Sequence, residues 1–198
     1  MREATDFAGT SSEVEALVPP EVQVKRVVLG QHLNTTRAAL LRHLNSGQLV
    51  VNYLGHGSEE VWAGEGLLTA DDVRGLHYVP RLPVVVTLNC RNGFFHDVYT
   101  ESLAEAWLRA PHGGAIAVWA SWGLTAAHGQ AVLDQALITE LFSGEGLTLG
   151  QAIQQAKATV RPLDLHRKWI LFGDPTLRIW RWDACLRFDH GDSFNLNQ

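Results

Sequence analysis

Two short apolar runs with a helical segment between them constrain the fold of this chain more than any other feature. Residues 49–54 lead into a histidine, His56, that stands between two glycines, and residues 82–88 lead into Cys90. Each run is rich in β-branched and aliphatic residues and is closed by glycine or polar residues, which is typical of a buried strand. Residues 69–76 have a helical pattern. The sequence therefore predicts two parallel strands joined by a crossover helix.

The carboxyl ends of two parallel strands meet at one edge of a sheet, so His56 and Cys90 are expected to share a crevice although they are far apart in sequence. An imidazole can take the proton of a thiol, and the resulting thiolate can attack a carbonyl carbon. Gly57 lets the backbone approach a substrate closely, and its N–H, together with that of Cys90, could form an oxyanion hole. The pair of residues predicts nucleophilic catalysis.

Two other interpretations of these residues compete with catalysis. A cysteine at a strand end is often a small buried apolar residue, and a histidine is often a hydrogen-bonded polar residue of the interior. A zinc site could be built from the residues His56, Cys90, His96 and either His77 or Asp97. None of the tight paired spacings of structural zinc sites is present, so we predict no metal site.

Several motifs occur in a fixed order around the two candidate residues. They are Asn52-Tyr53-Leu54-Gly55-His56-Gly57-Ser58, Trp62, Leu82-Pro83, Cys90-Arg91-Asn92-Gly93-Phe94-Phe95 and residues 102–106, 113–121 and 169–175. In this order they resemble the gingipain-type cysteine peptidases of family C25, and the likeness extends over residues 6–179. The resemblance implies a three-layer α/β caspase-like fold with a mostly parallel sheet flanked by helices. It also implies a cysteine endopeptidase acting on peptides or proteins, with His56 as general base and Cys90 as nucleophile.

The resemblance also points to a substrate pocket. In the family, the loop after the third strand forms a wall of the pocket for the residue before the scissile bond, and Ser121 and Trp122 begin that loop here. The family's tryptophan lies a few positions further along, near Ala127, so Trp122 either substitutes for it or only packs. An acidic residue that contacts basic substrates in arginine-specific members falls near Asp6.

The N-terminal region departs from the family pattern. Gingipain-type domains carry an earlier, central strand and an upstream acid that supports the catalytic histidine, and no residue here matches either. We therefore expect residues 1–182 to form an N-terminally truncated peptidase domain whose first strand is missing. Its sheet would have a gap that the remainder of a parent polypeptide, or another chain, fills. Residues 183–198 are expected to be a tail or linker.

Other local patterns predict the remaining elements. Residues 22–29 form the first strand candidate, after a short helix over residues 11–17, and residues 114–120 form a third buried strand. Capping-box patterns begin at Thr69, Ser102 and Thr148. Residues 34–36 are expected to cap a helix that ends before Gly47, and the apolar spacing of residues 131–142 predicts another helix.

Composition excludes several functions. The chain has 198 residues, 46% of them hydrophobic, which suits one domain with a substantial core. Its formal net charge of −5 gives no basic surface for nucleic acid. No apolar run is long enough to span a membrane, and residues 1–6 are not followed by the apolar region of a signal peptide. Two cysteines, Cys90 and Cys185, make no disulfide framework, and Cys185 is expected at an ordinary apolar position.

The resemblance supplies the remaining expectations. It implies a secreted or cell-surface bacterial protein, and the predicted thiol and imidazole chemistry requires no cofactor. Calcium is implied by the resemblance only, because the acidic loops lack an EF-hand pattern. Two functions other than a peptidase stay open: a catalytically silent caspase-like scaffold or binding module of a larger protein, and a flavodoxin-like or Rossmann ligand-binding domain. The last is disfavoured because no glycine-rich phosphate loop follows a first strand.

Overall fold

A computed structural model describes residues 6–30, 32–77 and 81–179. The elements in chain order are α1 (Phe7–Glu15), α2 (Leu33–Asn45), β1 (Val50–Leu54), β2 (Val61–Trp62), β3 (Leu68–Thr69), α3 (Ala70–Arg74), β4 (Val84–Leu88), α4 (Leu103–Arg109), β5 (Ala117–Ser121), α5 (Ala127–Leu141), α6 (Leu149–Thr159), α7 (Leu163–Lys168) and β6 (Trp169–Phe172). The predicted tail at residues 183–198, and Cys185 within it, lie outside the described residues.

The central sheet has the strand order β1-β4-β5-β6. β1, β4 and β5 are parallel, and β6 pairs with β5 in the antiparallel direction. Every residue of β4 and β5 is buried, because both faces of these strands are covered. The prediction of a mostly parallel sheet built on the runs 49–54 and 82–88 is confirmed, and the strands within them cover residues 50–54 and 84–88.

Helices cover both faces of the sheet and make three layers. Val85 and Val118 point to one face, where they pack with residues of α2, α3 and α4, among them Leu44 and Trp107. Alternate residues of the same strands point to the other face, where they pack with α1, α5 and α6. This alternation along each strand divides the buried apolar residues into two cores. None of the helices in the described ranges has the length and apolar character needed to cross a bilayer.

Three of the predicted helix starts agree with the structure, and three others differ from it. The capping boxes at Thr69, Ser102 and Thr148 are all formed. The helix predicted over residues 11–17 begins earlier, at Phe7, because the Asp6 side chain accepts a hydrogen bond from the N–H of Gly9 at 2.8 Å. Residues 34–36 lie inside α2 and do not cap it, since that helix begins at residue 33. The helix predicted over residues 131–142 begins at residue 127.

The strand predicted at residues 22–29 is wrong. Residues 23–30 have no regular secondary structure. A strand forms only when a neighbour satisfies its backbone groups, and these residues are separated from β1 by a cavity of about 800 Å³. Residues 25–29 line one side of this cavity and all of β1 lines the other. We refer to it below as the β1 cavity.

Candidate active site

The parallel register of β1 and β4 brings the two candidate catalytic positions side by side. Leu54 pairs with Leu88, and the N–H of Gly55 donates to the carbonyl of Leu88 at 3.3 Å. His56 lies two residues after Leu54, and Cys90 lies two residues after Leu88. Because neighbouring strands lie about 4.8 Å apart, the loops that begin there emerge next to each other at the carboxyl edge of the sheet.

A buried asparagine ties the two loops together. Asn92 is fully buried, and its Oδ1 accepts a hydrogen bond from the indole N–H of Trp62 at 2.8 Å. Its side-chain amide donates to the carbonyl oxygen of Ser58 and to that of Val61 at 3.3 Å. The loop that carries Cys90 is thereby held against the segment that follows His56.

The end of β4 extends this polar network. The hydroxyl of Thr87 lies 2.8 Å from Oδ1 of both Asn89 and Asn92, and the amide of Asn89 donates to Asn92 at 2.6 Å. All three side chains are buried, where unsatisfied polar groups are costly. Sequence reasoning gave these residues no role. The available signal was the placing of an asparagine immediately before Cys90 and another two residues after it.

Arg91 makes a second link between the loops. It has a φ of 64°, which is unusual for a residue other than glycine. Its guanidinium pairs with the carboxylate of Glu59 at 2.5 Å and lies over the ring of Phe94, 4.6 Å from the centroid. This ion pair therefore holds Glu59 against the loop that carries Cys90, called the cysteine loop below.

The backbone of His56 is held firmly while its ring is exposed. The carbonyl oxygen of His56 accepts hydrogen bonds from the Tyr53 hydroxyl at 2.6 Å and from the N–H of Ala63 at 2.8 Å. Burial raises the pKa of Tyr53, so its hydroxyl stays protonated and remains a donor. The imidazole contacts the ring edge of Phe7 at a centroid distance of 5.1 Å.

The sulfur of Cys90 contacts two polar groups near the start of α5. Cys90 is half-buried, and its Sγ lies 3.7 Å from the carbonyl oxygen of Thr125 and 3.9 Å from Nε2 of Gln130. No hydrogen bond between Cys90 and His56 is found within the described ranges. The fold thus brings the two positions together, but the thiol is turned toward the loop after β5.

Two backbone N–H groups, one in each loop, have no acceptor among the described residues. In the part of the chain that the structure describes, neither Gly57 nor Cys90 donates a backbone hydrogen bond to another residue. Residue 57 must be glycine, because a Cβ there would lie 2.1 Å from Nδ2 of Asn89. An oxyanion hole is built from fixed N–H groups that are free to donate, so these two groups are candidates for that role.

Comparison with known proteins places the chain in a family. A model of Peptidase family C25 matches residues 2–180. The chain belongs to peptidase family C25. At the level of the family, the chain is therefore a cysteine peptidase. No curated protein sequence matches the chain.

Two solved gingipain structures share the fold. The complex of Porphyromonas gingivalis RgpB pro- and mature domains has a TM-score of 0.71 and 22% identity, with 87% of this chain and 42% of that chain covered. The Arg-specific cysteine proteinase gingipain R (RgpB) has a TM-score of 0.69 and 22% identity, over 87% of this chain and 41% of that one. The C25 chain described here thus spans less than half the length of these relatives, which support its fold.

The predicted pocket residues of this C25 chain lie in two separate places. Trp122 is half-buried beside the cysteine loop, with its indole N–H donating to the carbonyl of Arg167 at 3.0 Å. Ser121 is fully buried, and its hydroxyl donates to the carbonyl of Gly123 at 2.9 Å. Asp6 is exposed on the other side of the site, where it caps α1 and lines the β1 cavity together with His56.

The residues considered for zinc are dispersed. His96 packs against aromatic rings, with centroids 4.0 Å from Phe94 and 5.6 Å from Trp122. His77 stacks on His112. Among the described residues, no three His, Cys, Asp or Glu side chains are grouped so that they could hold a metal ion.

Proposed function

We propose that this C25 chain is a cysteine endopeptidase in which Cys90 is the nucleophile and His56 is the general base. The observation that carries the proposal is the register of Leu54 with Leu88, since it sets both residues equally far beyond paired strand ends. The two N–H groups without acceptors, at Gly57 and Cys90, support it further.

The proposed reaction uses only side chains and backbone of this chain. His56 takes the proton of Cys90, and the sulfur bonds to the scissile carbonyl carbon. The N–H groups of Gly57 and Cys90 donate to the oxyanion that forms. His56 then gives its proton to the leaving amine, and the C–N bond breaks. Water, deprotonated by His56, attacks the acyl-enzyme and releases the carboxylic acid and the thiol. No step needs a cofactor, and calcium remains an expectation from resemblance alone.

We assign Trp122, Ser121 and Asp6 to the pocket for the residue before the scissile bond. The solved gingipain R is named as Arg-specific. Asp6 would supply a negative charge for such a residue here, although it is the N-cap of α1 in this structure. By the same resemblance we propose a secreted or cell-surface location.

A strand from a longer parent polypeptide would complete this domain. The bonds made by Gly55 and Leu49 to β4 show that odd-numbered residues of β1 face β4. The N–H and C=O groups of Val50, Asn52 and Leu54 therefore face the β1 cavity. The β1 cavity, about 800 Å³, is lined by every residue of β1, so an added strand would have room beside this edge. Relatives more than twice as long are consistent with an additional segment.

A second function is a catalytically silent scaffold or binding module. The contact of the Cys90 sulfur with Thr125, in place of a bond to His56, favours this alternative. The presence of both His56 and Cys90 at neighbouring strand ends favours the peptidase.

Labelling with peptidyl acyloxymethyl ketones tests the two functions. The library carries basic, acidic or apolar residues at the recognition position, and mass spectrometry identifies the labelled cysteine. A peptidase should show labelling of Cys90 that is lost in His56→Ala and kept in His32→Ala, because His32 makes no side-chain cap at α2. Preference for basic reagents that is lost in Asp6→Asn would support the pocket assignment.

The same assay should be run on this chain and on a longer polypeptide that contains it. Hydrogen exchange at Val50, Asn52 and Leu54 reports whether a strand fills the β1 cavity. If these amides exchange slowly and Cys90 is labelled fast only in the longer polypeptide, the result would support an added strand beside β1. Folded chains of both lengths that leave Cys90 unlabelled would refute the peptidase and favour the scaffold.

A further inference from the structure

Gln130 reaches from the first turn of α5 toward the loop that follows β5. Its side chain is buried, and Nε2 donates to the Thr125 hydroxyl at 2.8 Å and lies 3.4 Å from the Thr125 carbonyl oxygen. A carbonyl oxygen can only accept, so the end of the amide that faces it must be the NH2 group. The orientation of the Gln130 amide is thus fixed by Thr125.

The same NH2 group faces the candidate nucleophile. Nε2 of Gln130 lies 3.9 Å from Sγ of Cys90, and that sulfur lies 3.7 Å from the carbonyl oxygen of Thr125. The other end of the amide, Oε1, is buried and has no partner within the described ranges. The amide is therefore held mainly through its NH2 end, at the junction of Thr125 and the sulfur.

The thiol and the thiolate of Cys90 differ in which of these two neighbours they can bond, the Thr125 carbonyl or the Gln130 amide. A thiol can donate its S–H to the carbonyl of Thr125. A thiolate has no proton to donate and is repelled by that oxygen, so it needs a donor. The second N–H of Gln130 is such a donor, because the first is held by the Thr125 hydroxyl. Hydrogen bonds to a charged acceptor are roughly twice as strong as neutral ones.

We propose that Gln130 is a positioning residue that stabilises the thiolate of Cys90 by donating its second side-chain N–H to the sulfur. On ionisation of Cys90, this N–H turns from the Thr125 carbonyl to Sγ. The inference rests on the proposed function only for the use of the thiolate, and its test does not require peptide hydrolysis.

Alkylation of the full chain by iodoacetamide measures thiolate formation directly. The rate at Cys90 is followed from pH 6 to pH 9, and peptide mass spectrometry separates it from Cys185. Gln130→Met keeps the length of the side chain and removes the donor. Gln135→Met is the matched control on the same helix, because Gln135 bonds Glu13 at the surface.

Gln130→Met should be alkylated about tenfold more slowly at pH 7, with its rate profile moved about one unit to higher pH, while Gln135→Met should follow the unchanged chain. The charged and titratable groups around the site are the same in both Met variants: His56, Glu59, Arg91, His128, Lys168 and the buried Asp134 one turn further along α5. A lower melting temperature of Gln130→Met with an unmoved profile would show a packing role and overturn the proposal.

Gln130→Glu decides the question if Gln130→Met does not fold. A carboxylate keeps the shape of the side chain and can accept from the Thr125 hydroxyl, but it presents negative charge to the sulfur. At pH 9, where a buried carboxyl with a pKa raised as far as that of Asp134, to about 7, is ionised, alkylation of Gln130→Glu should be more than tenfold slower than that of the unchanged chain. An equal rate would overturn the proposal. Alkylation that depends on Gln130, in a chain that no peptidyl ketone labels, would refute the peptidase and uphold this inference.

Discussion

Replacing Asp134 by asparagine should stabilise the chain, and the gain should grow with pH. The Asp134 side chain is fully buried on α5. Its Oδ2 accepts from Nδ2 of Asn52 at 2.9 Å, and its Oδ1 has no partner among the described residues. Burial raises the pKa of Asp134 from 3.8 to about 7, and the hydrogen bond from Asn52 opposes this change without cancelling it.

The sign and size of the effect follow from proton linkage. Between pH 3.8 and about 7 the folded chain holds a proton on Asp134 that the unfolded chain has released. The free energy of unfolding therefore falls as pH rises through that window. At about 1.4 kcal/mol for each pH unit, the raised pKa destabilises the fold by roughly 2 kcal/mol at pH 5 and about 4 kcal/mol at pH 8. Asparagine carries no charge and can accept the same bond from Asn52.

Urea unfolding at pH 5 and pH 8 measures this difference. Asp134→Asn should exceed the unchanged chain in free energy of unfolding by about 3 kcal/mol more at pH 8 than at pH 5. Asp164→Asn, at an exposed position of α7, is the control and should show no such pH-dependent gain. A gain from Asp134→Asn that is the same at both pH values would refute the reasoning, because a carboxyl with an unchanged pKa contributes no pH-dependent term in this range.

Three other substitutions test the site and its supports. Asn92→Ala removes the buried group that joins the two loops, so it should lower the free energy of unfolding by about 3 kcal/mol in urea; a loss below about 1 kcal/mol would contradict that role. Gly57→Ala places a Cβ 2.1 Å from Nδ2 of Asn89. It should therefore slow labelling by peptidyl ketones at least tenfold, whereas Gly64→Ala, which meets nothing within 4 Å, should not. Ser102→Ala removes the capping box of α4 and should cost about 1 kcal/mol in thermal unfolding, and an unchanged melting temperature would argue against that cap.

The parts of the fold that the sequence predicts are those controlled by local patterns. Apolar runs closed by glycine or polar residues located β1 and β4, and parallel pairing then placed His56 and Cys90 at one edge. The capping box at Thr148 is likewise a pattern confined to four residues. Residues 22–29 have the composition of a strand, but pairing depends on a neighbour that local sequence does not reveal.

Side-chain contacts between distant segments were not predictable in this way. Gln130 lies on a helix 40 residues after Cys90, and only the packing of α5 against the end of β4 brings their side chains together. Asn92 bonds to Trp62 across 30 residues for the same reason. The amino-acid types did not reveal these partners, since asparagine and glutamine are common surface residues.

The open side of β1 also affects how the chain behaves in solution. Unpaired N–H and C=O groups on an apolar edge strand are a template for strands of other molecules. Val28 is 54% exposed on the far side of the β1 cavity, so apolar surface accompanies this edge. At high concentration, edge-to-edge aggregation would compete with the proposed addition of a strand to the sheet. Soluble yield would then depend on which strand reaches the edge first, and conditions that favour self-association would also remove the chains able to form a complete site.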